Sequence, residues 1–147
     1  RHSGWLLATL YILSLAAVTG WFELEWQGLE AAAASLREVR FLPFYYYYYT
    51  TEQVALLSLV SIGLVYGPLG VVAWANFMGA RAAASMAMFA AAAVESSKLF
   101  LVGLHPDPTN VLLAGIPAWL AYRLSRDAAR LSLSRSVRKM HFDNRTS

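Results

Sequence analysis

Residues 54–74 read VALLSLVSIGLVYGPLGVVAW, twenty-one positions without one charged side chain. A helix needs about 20 apolar residues to cross the hydrocarbon core of a bilayer, and this stretch supplies them. Gly63, Gly67, Pro68 and Gly70 interrupt it. Membrane helices tolerate such residues, because neighbouring helices re-satisfy the backbone groups that a proline frees. The stretch therefore predicts a span kinked at Pro68, and with it an all-α integral membrane protein.

Composition extends that reading to the rest of the chain. The 147 residues are 58% hydrophobic and 14% charged, against about 25% charged in an average globular chain. Three further apolar segments follow the same logic. Residues 5–22 carry Trp5, Trp21 and Phe22 at their ends, and tryptophan favours the membrane interface. Their length and flanks predict a retained span rather than a cleaved signal sequence. Residues 82–102 are rich in Ala, Ser and Met, small enough for helices to pack closely. Residues 111–124 are short, contain Pro117, and are expected to run on into the tail. The predicted organisation is a four-helix membrane domain over residues 1–124 and a basic cytoplasmic tail over 125–147.

Between the first two spans, Leu29, Ala32, Ala33, Leu36 and Val39 recur at helical spacing. Glu30, Arg37, Glu38 and Arg40 lie elsewhere around the turn, which predicts an amphipathic helix lying in the interface. Phe44 and the tyrosine run Tyr45, Tyr46, Tyr47, Tyr48 and Tyr49 come next. Tyrosine joins an apolar ring to a hydrogen-bonding tip, so these residues are expected to anchor the chain where it re-enters the membrane. Successive positions cannot all face one way, so at most two or three of the five are expected to line a neighbouring site. Thr50-Thr51-Glu52-Gln53 then has capping-box spacing, Thr to Gln three residues on.

Charge sets the orientation. Arg123, Arg126, Arg130, Arg135, Arg138, Lys139 and Arg145 face only Asp127 and Asp143 in the C-terminal region. Positive residues flanking spans stay on the cytoplasmic side. Four spans then put both termini and Arg81 inside a bacterial cytoplasmic membrane. Glu23, Glu25, Glu30, Glu38, Glu52 and Asp107 lie outside with Arg37 and Arg40. Leu124, Ala128 and Leu131 alternate with basic residues, which predicts a tail helix lying on anionic lipid rather than a nucleic-acid-binding arm.

Two charges fall inside a span. Glu95 and Lys98 stand three residues apart in the third segment, so they share a helix face and can pair. A charge at the centre of a bilayer costs about 2.5–3.5 kcal/mol on translocon scales, so it should face the bundle interior or a polar cavity. Glu95 lies fourteen residues after Arg81, about 21 Å along a helix, which places it beyond the midplane towards the outer face. His105, Asp107 and Asn110 follow in the outer loop, where Pro106 and Pro108 prevent a regular helix. Glu95, Lys98, His105, Asp107 and Asn110 therefore form one candidate polar site at the level of the outer head groups, rimmed by tyrosines. No nucleophile motif accompanies them. Their spacing matches no metal-ligand pattern, and the absence of cysteine removes disulfides, thiolate metal sites and a Cys nucleophile. No cofactor is expected.

Leu42-Pro43-Phe44 before the second span, Glu95 late in the third, and His105-Pro106-Asp107-Pro108-Thr109-Asn110-Val111-Leu112-Leu113 leading into the fourth together resemble the VanZ-like family of small bacterial membrane proteins. The resemblance covers roughly residues 5–124. It implies a four-helix membrane fold, and a loose association with teicoplanin resistance and cell-envelope polysaccharides, with no firmly assigned reaction. Glu95 and Asp107 match the family pattern. Lys98 stands where Gln is usual, Asn110 where Asp is and Ala114 where Asn is, and the loop has no arginine.

The expected function is that of a non-enzymatic envelope protein whose polar site takes lipid or glycolipid head groups. Membrane lipids are the expected partners. An accessory subunit of a larger membrane-protein or pigment-protein complex is the second reading, because the kinked and small-residue spans also suit packing against other subunits. An intramembrane enzyme using Glu95 and His105 as acid and base is the third.

Overall fold

In the computed structural model the described residues are 2–39, 42, 44–48 and 50–146, and for side chains 9–37, 39, 42, 44, 45, 48 and 50–132. Among them the chain is all-helical: α1 (His2–Val18), α2 (Leu29–Glu38), a single turn α3 (Tyr45–Tyr48), α4 (Glu52–Ala75), α5 (Ala80–Lys98) and α6 (Pro108–Thr146). One of these, α4, is long and apolar enough to cross a membrane; Thr9–Val18 is a shorter apolar stretch. α4, α5 and α6 pack together as the central bundle, and α1 joins it through Leu15.

Small residues hold the bundle together. Ala83, Ala87 and Ala91 of α5 and Ala114 and Ala118 of α6 are fully buried, each set recurring every four residues on one ridge. Gly70 of α4 lies so close to α6 that a Cβ built on it would stand 2.0 Å from the Ala118 carbonyl oxygen. Gly115 faces the Met88 side chain. Large apolar side chains point the other way: Leu56, Leu57, Leu64, Phe89, Ile116 and Leu120 are all exposed.

α4 continues through Pro68, which has no N–H to donate to the carbonyl of Leu64. Beside this interruption the Tyr11 hydroxyl of α1 donates to the Val65 carbonyl at 2.9 Å. At its other end α4 closes with Phe77 N–H donating to Trp74 O (3.0 Å) and Met78 N–H to Ala73 O (2.9 Å). Phe77 adopts φ 57°, so this is a Schellman cap with phenylalanine where glycine is usual.

Several expected boundaries shift. The first span was expected to include Trp21 and Phe22, but α1 stops at Val18 and Gly20 turns the chain at φ 79°. Trp21 then donates from its indole to Ser97 Oγ (2.8 Å) and meets Trp26 edge to face. The third segment was expected to be helical to Val102, yet α5 ends at Lys98. The amides of Leu99, Phe100 and Leu101 shift to the carbonyls three residues back, and the chain then pairs with the loop before α2: Leu99 O accepts from Gln27 Nε2 (3.0 Å) and Phe100 O from Gln27 N–H (2.8 Å). Val102 N–H donates back to Glu25 O (3.1 Å), burying Leu101 between two loops. The capping box at Thr50 is not made. Thr51 is the N-cap and its side chain caps nothing, and the one-residue shift puts Val54 where a box needs Glu or Gln.

In α2 only Ala32 of the expected apolar stripe is buried, while Leu29 and Leu36 are exposed. α6 runs unbroken through residues 124 and 125. Its 39 residues extend about 58 Å, so the fourth segment runs on into the tail as its sequence leads one to expect. On α6, Arg123 lies over the Trp119 ring, 5.0 Å from its centroid.

Candidate functional site

The alanine ridge of α5 delivers the central residue. Residues 83, 87 and 91 are alanine, and the next position on the same ridge is Glu95, which is 6% exposed. Packing that buries the three alanines against the bundle thereby carries the carboxylate to the start of α6.

There both carboxylate oxygens are engaged. Oε1 accepts from Lys98 Nζ at 2.7 Å and from Asn110 Nδ2 at 2.9 Å. Oε2 accepts from the backbone N–H of Asp107 at 2.8 Å. The negative charge sits at the N-terminal end of α6, where the helix macrodipole favours it. Asp107 caps the same helix, its Oδ1 accepting from Thr109 N–H at 2.9 Å. Pro108 occupies the first helical position, where its missing N–H costs nothing.

The tyrosine segment docks on this first turn. Phe44, held at φ 63°, donates its N–H to the hydroxyl of Thr109 at 3.0 Å. Thr109 is fully buried. α3 then places Tyr48 outward and Tyr45 half-buried. Tyr49 and the side chains of Tyr46 and Tyr47 lie outside the described residues.

Of the five residues expected to share the site, Glu95, Lys98, Asp107 and Asn110 are brought together and His105 is not. His105 is exposed, because Pro106 is buried beside it and the next amide is held by Glu95. Among the described residues no three His, Asp or Glu side chains gather as a metal ion would require.

Glu95 stands between two cavities. One, of about 170 Å³, lies under α2 and is bordered by Leu36, Val39, Ala92 and Pro106. The other, of about 180 Å³, opens between all four long helices, with Thr19, Ser58, Tyr66, Lys98 and Asn110 on its wall. Tyr66 is buried, yet its hydroxyl makes no hydrogen bond among the described residues. No enclosed side-chain polar atom among them lacks a partner, so this hydroxyl opens into the cavity. Lys98 spends one of its three N–H donors on Glu95. The wall thus offers an ammonium and a phenol to an incoming acceptor, while Glu95 is occupied by three donors.

Sequence reasoning missed Tyr66, Ser58, Thr19 and Thr109. Ser58, Ile62, Tyr66 and Gly70 follow one another every four residues, the same ridge signal that α5 shows, so two of the four were readable. Thr19 and Thr109 depend on turns whose course no periodicity gives. No family model, curated protein or solved structure matches this chain.

Proposed function

We propose that the chain is a four-span membrane protein of the bacterial envelope, with both termini cytoplasmic, whose polar cavity at the outer leaflet binds a lipid or glycolipid head group. The observation that carries this reading is the cavity itself. A part-buried ion pair, a Tyr66 hydroxyl with no hydrogen bond among the described residues, and the small polar side chains of Thr19, Ser58, Ser61 and Asn110 meet at one end of the bundle. The outward display of large apolar side chains over an alanine and glycine interior supports crossing by all four long helices, because lipid rewards that arrangement and water does not. The likeness to VanZ-like proteins at Leu42-Pro43-Phe44, Glu95 and Asp107 supports the envelope setting.

A non-catalytic role fits the chemistry of Glu95. Its three hydrogen bonds, from Lys98, Asn110 and the Asp107 N–H, tie the carboxylate to its own helix and to the start of α6, a bracing role that needs no reaction. The exposed apolar faces of α1 and α4 favour, as a second reading, an accessory subunit packed against other membrane proteins.

The chain lacks cysteine, so single cysteines report topology cleanly. On intact cells an impermeant maleimide is expected to label His105→Cys and to miss Met78→Cys. Equal labelling of both rejects the orientation. Purification in mild detergent separates the two functional readings: a small particle with co-purifying lipid supports the first, and a stoichiometric large assembly supports the second.

A further inference from the structure

The polar cavity has an apolar continuation. A second space of about 250 Å³ lies between α1 and α4, walled by Tyr11, Ser14, Leu64 and Pro68. It shares Leu15, Val18 and Val65 with the polar cavity. The two spaces are therefore neighbours, stacked along α1 and α4. On α4 the polar wall begins at Ser58 and the apolar wall ends at Pro68, about 15 Å apart along the helix. That is half of a hydrocarbon core of about 30 Å, the depth of one leaflet. The polar space is at the end carrying Lys98 and Asn110, and the apolar space lies towards the middle of α4.

The geometry points to an amphiphile in this pair of spaces: a lipid with an uncharged, hydroxyl-bearing head in the polar cavity and one acyl chain in the α1–α4 groove. This rests on the lipid-binding reading above and adds to it the class of head group and the path of the chain. The head is uncharged because the two ionised groups on the cavity wall, Glu95 and Lys98, already neutralise each other. A phosphate drawn to Lys98 would also meet the Glu95 carboxylate 2.7 Å from that ammonium, and like charges at such range repel. Hydroxyl groups suit the wall better, since they accept from Lys98 and Tyr66 and donate to hydroxyl or amide oxygens. The chain enters beside Val18, which is 74% exposed, and passes along Leu64 and Pro68.

Native mass spectrometry of the full chain in detergent tests this, with monoglucosyl diacylglycerol and phosphatidylglycerol of identical acyl chains as probes. The glucolipid is expected to bind the more tightly. Tyr66→Phe, which removes the cavity-facing hydroxyl, should weaken it about two- to tenfold. Val18→Trp, at an exposed position that fills the groove mouth, should weaken both the glucolipid and its unglycosylated diacylglycerol. Helicity and particle size establish that both variants fold. Tighter binding of phosphatidylglycerol overturns the uncharged head while leaving a lipid site in place. A glucolipid indifferent to Val18→Trp overturns the chain path alone. Failure of both lipids to bind the folded wild-type chain overturns the lipid-binding reading as well.

Discussion

Replacing Glu95 by glutamine removes one charge and one acceptor from a site that uses both. A glutamine in the same rotamer has a single oxygen. With that oxygen at the Oε1 position it keeps Lys98 and Asn110, and its NH₂ then faces the Asp107 N–H that Oε2 accepts at 2.8 Å. The reverse orientation loses two contacts instead of one. The better choice still leaves a backbone donor at the start of α6 unpaired, which costs about 1–3 kcal/mol. Lys98 loses its counter-charge, but its side chain is 20% exposed and turns towards water, so that contribution is held to about 1 kcal/mol. Together Glu95→Gln should destabilise the bundle by about 2–4 kcal/mol. Lys98→Met leaves the carboxylate two donors and the helix terminus, and should cost about 1–2 kcal/mol. In the double variant no ammonium is stranded, so its cost should fall about 1 kcal/mol short of the sum. Reversible denaturant unfolding in mixed micelles, followed by helicity, measures all three. Hydrogen exchange over residues 107–111 reports the cap directly and should quicken in Glu95→Gln. A Glu95→Gln variant within about 0.5 kcal/mol of wild type, the ordinary range of a neutral surface change, with those amides still protected, would refute the assignment of Glu95 as the acceptor that secures the start of α6.

Three other outcomes follow from single positions. Gly70→Ala puts a Cβ 2.0 Å from Ala118 O, where real contacts do not fall below 3.0 Å; α4 and α6 must part, at a cost of about 1–3 kcal/mol or more, seen as a lower thermal midpoint. Gly115→Ala is its control, because the nearest atoms belong to the flexible Met88 side chain at 3.2 Å, and its midpoint should move little. Thr109→Val keeps the buried volume but takes away the acceptor of Phe44 N–H; a loss of about 1 kcal/mol and faster exchange at Phe44 are expected, and unchanged exchange there would detach the tyrosine segment from α6. Phe77→Gly relieves a left-handed backbone at a side chain that is 99% exposed, and should raise stability by about 1 kcal/mol, read as a higher denaturation midpoint.

What the sequence made legible was whatever depends on local period and charge. The run at residues 54–74 foretold α4, and the spacing of Glu95 and Lys98 foretold their ion pair, because both follow from the pitch of one helix. The end of α5 was not legible, since Leu99 and Phe100 are as apolar as the span before them. Their carbonyls are taken by Gln27, more than seventy positions earlier in the chain, and no local pattern announces that. His105 was misplaced for a related reason: proximity in the loop put it with Asp107, while the contact of Asp107 with Glu95 turns it outwards. The polar wall of α4 had a visible four-residue period in Ser58, Ile62, Tyr66 and Gly70, but the greater apolarity of the segment masked it.

The burial of Glu95 does not by itself require a ligand. On the four-span reading proposed above, the carboxylate costs about 2.5–3.5 kcal/mol, and each hydrogen bond to a charged group returns about 1.5–3 kcal/mol. Three such bonds, with the N-terminus of α6 beside them, offset the cost without any outside partner. Lys98 and Tyr66 differ in this respect. Lys98 keeps donors that Glu95 does not use, and the Tyr66 hydroxyl opens into the cavity with no hydrogen bond among the described residues, although a wholly structural tyrosine there is as well served by phenylalanine. The carboxylate therefore builds the site and fixes the helix that frames it, while the lysine and the tyrosine are the groups left to meet what enters. Tyr66→Phe should for this reason be nearly silent in stability and visible in lipid binding, whereas Glu95→Gln should be costly in stability first.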